Sequence, residues 1–220
     1  MNNNYPQQIL KFIMDAIFPI RCVGCGAYDT YFCASCSDGI KKRNDLERIG
    51  AIITFAATDY NDKLIEKALK IFKYSFVRDM VRPLADITRV AIEGLPSPIR
   101  SEIFKNNPLL VPIPLHKKRL NWRGFNQSEI LARKIAGIYG LEAKNILIRN
   151  KNRKPQADIE DRESRMNNVT GSFECPEALD GRSIILVDDI CTTGATLNEC
   201  AKALIEKSAG KVRALVIARA

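Results

Sequence analysis

Two adjacent carboxylates, Asp188 and Asp189, follow a continuously apolar run, Ile184–Val187, and precede a stretch of small and hydroxyl-bearing residues, Thr192, Thr193, Gly194, Ala195 and Thr196. An apolar, β-branched run of this kind reads as a parallel strand covered on both faces. The spacing predicts a strand ending at Val187, both aspartates at its carboxyl end, and a loop leading into a helix over 195–208. Unpaired amides and the dipole at a helix start favour an anion. A phosphate suits the loop, whereas the carboxylates repel a second phosphate and accept hydrogen bonds from a vicinal diol. The ligand these groups describe is a ribose 5-phosphate. Without the Gly-Lys-Ser/Thr of a Walker loop, nothing here reaches a nucleotide's outer phosphates.

A second set of residues carries metal chemistry. Cys22-x-x-Cys25 and Cys33-x-x-Cys36 are seven residues apart, with Gly26, Asp29 and Thr30 to turn the chain between them. Two such knuckles can converge on one tetrahedral Zn²⁺, closed by four protein ligands and therefore structural. Of the other cysteines, Cys200 reads as a small core residue. Cys191, inside the expected loop, has a conceivable lowered thiol pKa beside a helix start.

A third set is basic. Lys117, Lys118, Arg119 and Arg123 follow the apolar run Leu109–Ile113 and precede a helix over 127–139 capped by Asn126 with Glu129 three positions on. These charges are expected in a loop of about ten residues at the carboxyl end of a strand, the edge where open α/β sheets bind ligands. Trp122 and Phe125 fit either local packing or stacking on the bases of a single strand. His116, the only histidine, reads as a loop residue.

Elements that position these groups follow from periodicity. Strands are expected at 51–57, 109–113, 146–148, 184–187 and 212–218, and helices at 64–73, 80–92, 127–139 and 195–208. A proline-bounded connector covers 96–108, and a mobile loop 150–168. Alternating strands and helices imply an α/β fold with a parallel sheet flanked by helices. The chain of 220 residues divides into an N-terminal helix and four-cysteine zinc module over 1–48 and an α/β domain over 49–220. The apolar stretch Ile9–Ile20 is too short and too charged to span a membrane, and without an export signal the expected location is cytoplasmic. A net charge of +9 favours an anionic partner.

The aspartate pair with its threonine loop resembles the motif by which type I phosphoribosyltransferases bind phosphoribosyl pyrophosphate. Pro112-Ile113-Pro114-Leu115, Arg119, Arg123-Gly124-Phe125-Asn126-Gln127 and Leu131-Ala132-Arg133 resemble the hallmark of the ComF family. So do Phe18-Pro19 ahead of Cys22, the Lys73-Tyr74 pair, and Arg149, Gln156, Arg162, Arg165, Asn168 and Gly171-Ser172-Phe173. The resemblance implies a zinc element joined to a type I phosphoribosyltransferase domain that serves natural transformation and handles imported single-stranded DNA. It implies Mg²⁺ with the donor, Asp188 and Asp189 as the catalytic pair on the ribose hydroxyls, and 192–196 on the 5-phosphate. Lys117, Lys118, Arg119 and Arg123 would meet pyrophosphate or nucleic acid, with Arg153 or Lys154 closing over it, and a DNA helicase or another competence protein is an implied partner. Many relatives carry further cysteines after the first four, and this chain has none before Cys175. No residue is an evident base for an acceptor, which leaves pentosyl transfer open, along with the alternative of a nucleotide-salvage transferase acting on a free base.

Overall fold

The structure is a computed structural model that describes residues 19–74, 77–149 and 171–220. The expected mobile loop, with Arg153, Lys154, Gln156, Arg162, Arg165 and Asn168, lies outside the described residues, as do Phe18 and most of the N-terminal apolar stretch. The chain forms two compact units, Met1–Lys41 and Lys42–Ala220. The boundary near Arg48 drawn from sequence falls inside a strand of the second unit.

In the first unit, tight turns do the folding. Gly26 takes φ 77° and Asp29 φ 65°, conformations open to glycine and tolerated by Asp. The Gly26 amide donates to the Cys22 carbonyl at 3.0 Å and the Val23 amide to Tyr31 at 2.9 Å. A short helix, α1 (Ala34–Asp38), starts from Cys33 and buries none of its own residues. Such a fold has little core to hold it.

The second unit is α/β. Its main sheet has the order β1-β2-β7-β6-β3, built from β1 (Leu46–Ile49), β2 (Ile52–Asp59), β3 (Leu109–Pro112), β6 (Ile184–Cys191) and β7 (Val212–Arg219). β1 is an antiparallel edge on β2, and the other four strands are parallel. Ile52, Val111, Ile184, Leu186 and Val216 pack with Leu197, Cys200 and Leu204 of α7 (Ala195–Ile205) in one core layer. Against the opposite side, α3 (Val81–Glu93) packs on β2, and α6 (Gln127–Tyr139) on β3 and β6. α2 (Lys63–Tyr74) buries Ile65, Ala68, Leu69 and Phe72, a single helical stripe. Among the described residues, no helix is long and apolar enough to cross a membrane.

Several expectations give way. Lys117–Arg123 is a helix, α5, not a loop: His116 caps it through Nδ1, which accepts from the Lys118 amide at 3.2 Å, and Gly124 at φ 71° ends it. The proline connector contains α4 (Ser97–Ile103), with Pro98 in the first turn, where a missing N–H costs nothing. Instead of a strand at 146–148 in the main sheet, β4 (Ile148–Arg149) pairs antiparallel with β5 (Phe173–Glu174) in a separate ladder. Glu129 does not close a capping box; it pairs with Arg133 at 2.9 Å.

Most consequential for a ligand, β6 does not stop at Val187. Asp188, Ile190 and Cys191 remain paired with β7, while β3 ends opposite Val187. Ile113 makes one more bond, its amide donating to the Val187 carbonyl at 3.0 Å. Pro114 then holds φ at about −65°, outside the strand range. The chain leaves the sheet there, and a crevice opens beside the last residues of β6.

Candidate functional site

That crevice is a cleft of about 500 Å³ lined by residues from separate segments, among them Lys73, Pro114, Arg119, Ser128, Arg149, Asp188 and Thr192. Successive strand residues point to opposite faces, so the two aspartates diverge. Asp188 Oδ1 accepts from the Ser128 hydroxyl at 2.8 Å and from the Asp189 amide at 2.9 Å. Asp189 is buried and pairs with Lys73 Nζ at 3.1 Å. Burial pushes the Asp188 carboxyl up and the Asp189 charge adds to it. Ser128, the Asp189 amide and Lys73 pull it back, leaving it at about 7.

Ser128 reaches Asp188 because of how α6 begins. Asn126 Oδ1 accepts from the Ser128 amide at 3.1 Å, and Asn126 Nδ2 donates to the Ile113 carbonyl at 3.0 Å. One side chain therefore caps the helix and ties it to the end of β3.

On the other wall stand guanidiniums. Arg149 is pushed down from the usual arginine range, first by burial and then by the neighbouring Arg119 charge. Two cations brought this close, each lining the cleft, make a place for an anion. Arg123 is buried and donates to Gln127 Oε1 at 3.0 Å.

After β6 the chain turns at Thr192 and Thr193, and Gly194 (φ 78°) starts α7. A Cβ at Gly194 would lie 2.2 Å from Ile49 Cγ2, so the loop sits against the β1–β2 turn. Asn198 fastens it there, accepting from the Ala51 amide at 2.8 Å and donating to the carbonyls of Gly194 at 2.9 Å and Ile49 at 3.1 Å. Arg219 holds the carbonyls of Cys191 and Thr192.

The residues singled out in the sequence separate here. Asp188, Asp189, Thr192, Thr196, Arg119 and Arg123 line the cleft; Lys117 and Lys118 lie on the exposed side of α5, and Thr193, Gly194 and Ala195 shape the loop without lining the cleft. Both aspartates lie within β6, not beyond its end, because β7 keeps pairing with that stretch. Cys191 closes the strand, buried, and burial raises its thiol pKa, the reverse of the shift expected in a loop. Phe125 is buried against Phe72, ring centroids 6.1 Å apart, whereas Trp122 is exposed. Lys73, Tyr74, Gln127 and Arg149 join the site although the sequence assigned them no role; they belonged to the family-like pattern, which was their only signal. Ser128 had none.

In the first unit, the Sγ atoms of Cys22, Cys25, Cys33 and Cys36 all lie within 4.8 Å of one another. Cys25 and Cys33 are 3.6 Å apart, and the Cys33 amide donates to Cys22 Sγ at 3.4 Å. Four sulfurs about 2.3 Å from one ion sit roughly 3.8 Å apart. The cluster can hold a metal.

Residues 123–220 match the family described as Phosphoribosyl transferase domain. The chain is 25% identical to Competence protein F of Haemophilus influenzae over 202 residues, covering 90% of this chain and 84% of that protein. It is 35% identical to Competence protein ComFC of Bacillus subtilis over 152 residues, 67% of this chain and 56% of that protein. The DNA utilization protein YhgH of Salmonella typhimurium is 25% identical over 199 residues, 90% of this chain and 83% of that protein.

Proposed function

The chain belongs to the ComF family and carries a phosphoribosyltransferase domain, and from that premise we propose that its cleft binds phosphoribosyl pyrophosphate and that the protein handles single-stranded DNA during DNA uptake. One observation carries the reading: two carboxylates and the guanidiniums of Arg119, Arg123 and Arg149 share a cleft whose floor leads into a strand–loop–helix turn. Asp188 and Asp189 take the ribose hydroxyls, with Lys73 offsetting one of the two charges. The turn at 192–196 takes the 5-phosphate, and Arg119 and Arg149 the pyrophosphate. Adjacent carboxylates with a single ammonium partner leave negative charge that suits a divalent cation, and Mg²⁺ on the donor's oxygens would screen the leaving group. In a transfer step the bond from ribose C1 to pyrophosphate breaks and one to an acceptor forms. The aspartates then face the positive charge that develops on the sugar.

Zn²⁺ is the metal proposed for Cys22, Cys25, Cys33 and Cys36, a closed thiolate set that holds the fold. DNA handling rests on the relatives' names, the charge of +9 and an exposed Trp122 beside Lys117 and Lys118. A helicase or another competence protein is the partner class this role calls for.

Calorimetric titration with the donor and Mg²⁺ tests the site. Asp188→Asn with Asp189→Asn is expected to weaken binding at least about 100-fold, the loss of two or more charged hydrogen bonds, and binding indifferent to both substitutions would overturn the reading. Single-stranded DNA should bind with a steep salt dependence and compete with the donor. Absence of DNA binding at low salt removes that half of the proposal, and pyrophosphate release with free bases replaces it with salvage chemistry.

A further inference from the structure

A loop that receives a phosphate does so with backbone amides, and those amides have to be aimed. A peptide unit is planar and trans, so its C=O and N–H point in opposite directions. Whatever holds the carbonyl of Cys191 therefore sets the direction of the Thr192 amide, and whatever holds the carbonyl of Thr192 sets that of Thr193. β6 ends at Cys191, so no ladder fixes the peptide unit beyond it.

One side chain does. Arg219, the last residue of β7, donates through Nη1 to the carbonyl of Cys191 at 3.3 Å and to those of Thr192 and Ala220. Its other edge meets Glu47 of β1, with Nε 3.2 Å from Oε2 and Nη2 3.4 Å from Oε1. Glu47 Oε2 is itself 3.7 Å from the Arg43 guanidinium, which also pairs with Asp59 at 3.0 Å. A carboxylate thus fixes the plane of the fork and leaves the third nitrogen to the loop. Among the described residues, the Thr192 and Thr193 amides donate to no group, and the bonds to their carbonyls polarise both peptide units and strengthen those N–H donors. Neither Arg219 nor Glu47 lines the cleft.

We infer that Arg219 is a positioning residue for the 5-phosphate: its fork, seated on Glu47, turns the Thr192 and Thr193 amides toward the anion without touching it. The inference rests on the phosphoribosyl reading and deepens it, because phosphate recognition then depends on β1, an edge strand three positions from β6 in the sheet. Geometry and charge part company here. A lysine keeps the charge, but one ammonium cannot grip a carboxylate with two nitrogens and the loop with a third.

Calorimetry on the full-length metal-loaded protein tests this with ribose 5-phosphate, inorganic pyrophosphate with Mg²⁺, and phosphoribosyl pyrophosphate with Mg²⁺. Arg219→Met should weaken ribose 5-phosphate and the donor about tenfold, the loss expected when charged hydrogen bonds no longer hold the loop. Pyrophosphate, received by Arg119 and Arg149, should stay within about twofold of wild type, as for an independent site. Arg219→Lys should match Arg219→Met, and Glu47→Gln, which keeps the arginine but loosens its seat, should fall between that variant and wild type. In amide NMR spectra, saturating ribose 5-phosphate should shift Thr192 and Thr193 downfield in wild type and not in Arg219→Met. Urea unfolding shows whether each variant folds; if Arg219→Met does not, the intermediate loss in Glu47→Gln, confined to the two ligands with a 5-phosphate, decides. Equal losses on all three ligands, full affinity in Arg219→Lys, or unchanged ribose 5-phosphate binding in the variants overturns the inference. Wild type that binds none of the three removes the phosphoribosyl reading and this inference with it, whereas a wild type that binds all three beside indifferent variants sinks the inference alone.

Discussion

The cysteine cluster and the cleft are both constellations of side chains, but they are assembled over different ranges of chain. The cluster gathers four sulfurs from 15 consecutive positions, 22–36, by means of local turns and one short helix. The cleft gathers Lys73, Arg119, Ser128, Arg149 and Asp188 from separate segments, which the packing of helices on the sheet brings together. A site made by turns is written in its spacing. One made by a sheet is written in where strands stop, which local sequence encodes poorly.

Metal removal is the strongest way to break that contrast. Structural zinc contributes on the order of 10 kcal/mol to small metal-held folds, so chelation should abolish hydrogen-exchange protection across 19–41. Protection of β6, β7 and α7 should be unchanged. If it collapsed too, the two sites would not be independent in their folding.

Gly194→Ala tests the cleft's dependence on distant contacts. The new methyl meets Ile49 and the residue must hold a positive φ, a combined cost of about 2–4 kcal/mol. A lower urea midpoint is expected together with weaker donor binding, because the loop loses its seat on the β1–β2 turn. An unchanged midpoint would show that the loop is shaped locally, as the cysteine knuckles are.

pH separates the sites more gently. Asp188 has a folded pKa of about 7 against an ordinary value of 3.8. Between those values the folded chain keeps a proton that the unfolded chain has released, so this group's contribution to stability falls as pH rises from about 4 to 7. Asp188→Asn should therefore match wild type at pH 4 and unfold at a higher temperature at pH 8. Ser128→Ala is the smallest step. Losing that hydroxyl raises Asp188 further and should weaken donor binding at pH 7 roughly threefold to fivefold, moving the pH midpoint of binding upward. A midpoint that did not move would dissociate Ser128 from the carboxylate.

The elements with clean apolar periodicity were legible: the expected 64–73, 80–92 and 127–139 are Lys63–Tyr74, Val81–Glu93 and Gln127–Tyr139. α5 was not, because Lys117–Arg123 buries only Arg123 and carries no apolar stripe; its caps, His116 and Gly124, were the readable clue. β1 escaped for a similar reason: Leu46-Glu47-Arg48-Ile49 is an edge strand with one buried residue. Asp188 was readable as chemistry, since adjacent carboxylates after an apolar run are unusual. Its partner Ser128, 60 residues away, was not, because only the capping geometry of Asn126 aims that hydroxyl.

The prolines at the end of β3 also set a dimension. β6 runs four residues past its last partner on β3, and at about 3.3 Å per residue that exposes roughly 13 Å of one strand's flank. The crevice is thus quantised: its depth can change only by whole rungs of the ladder. Replacing Pro114, which lines the cleft, with a residue free to take an extended φ would let Leu115, the next residue whose amide faces β6, add one bond and shorten the groove. Depth is therefore set by where one strand falls silent, and chemistry by what its neighbour presents.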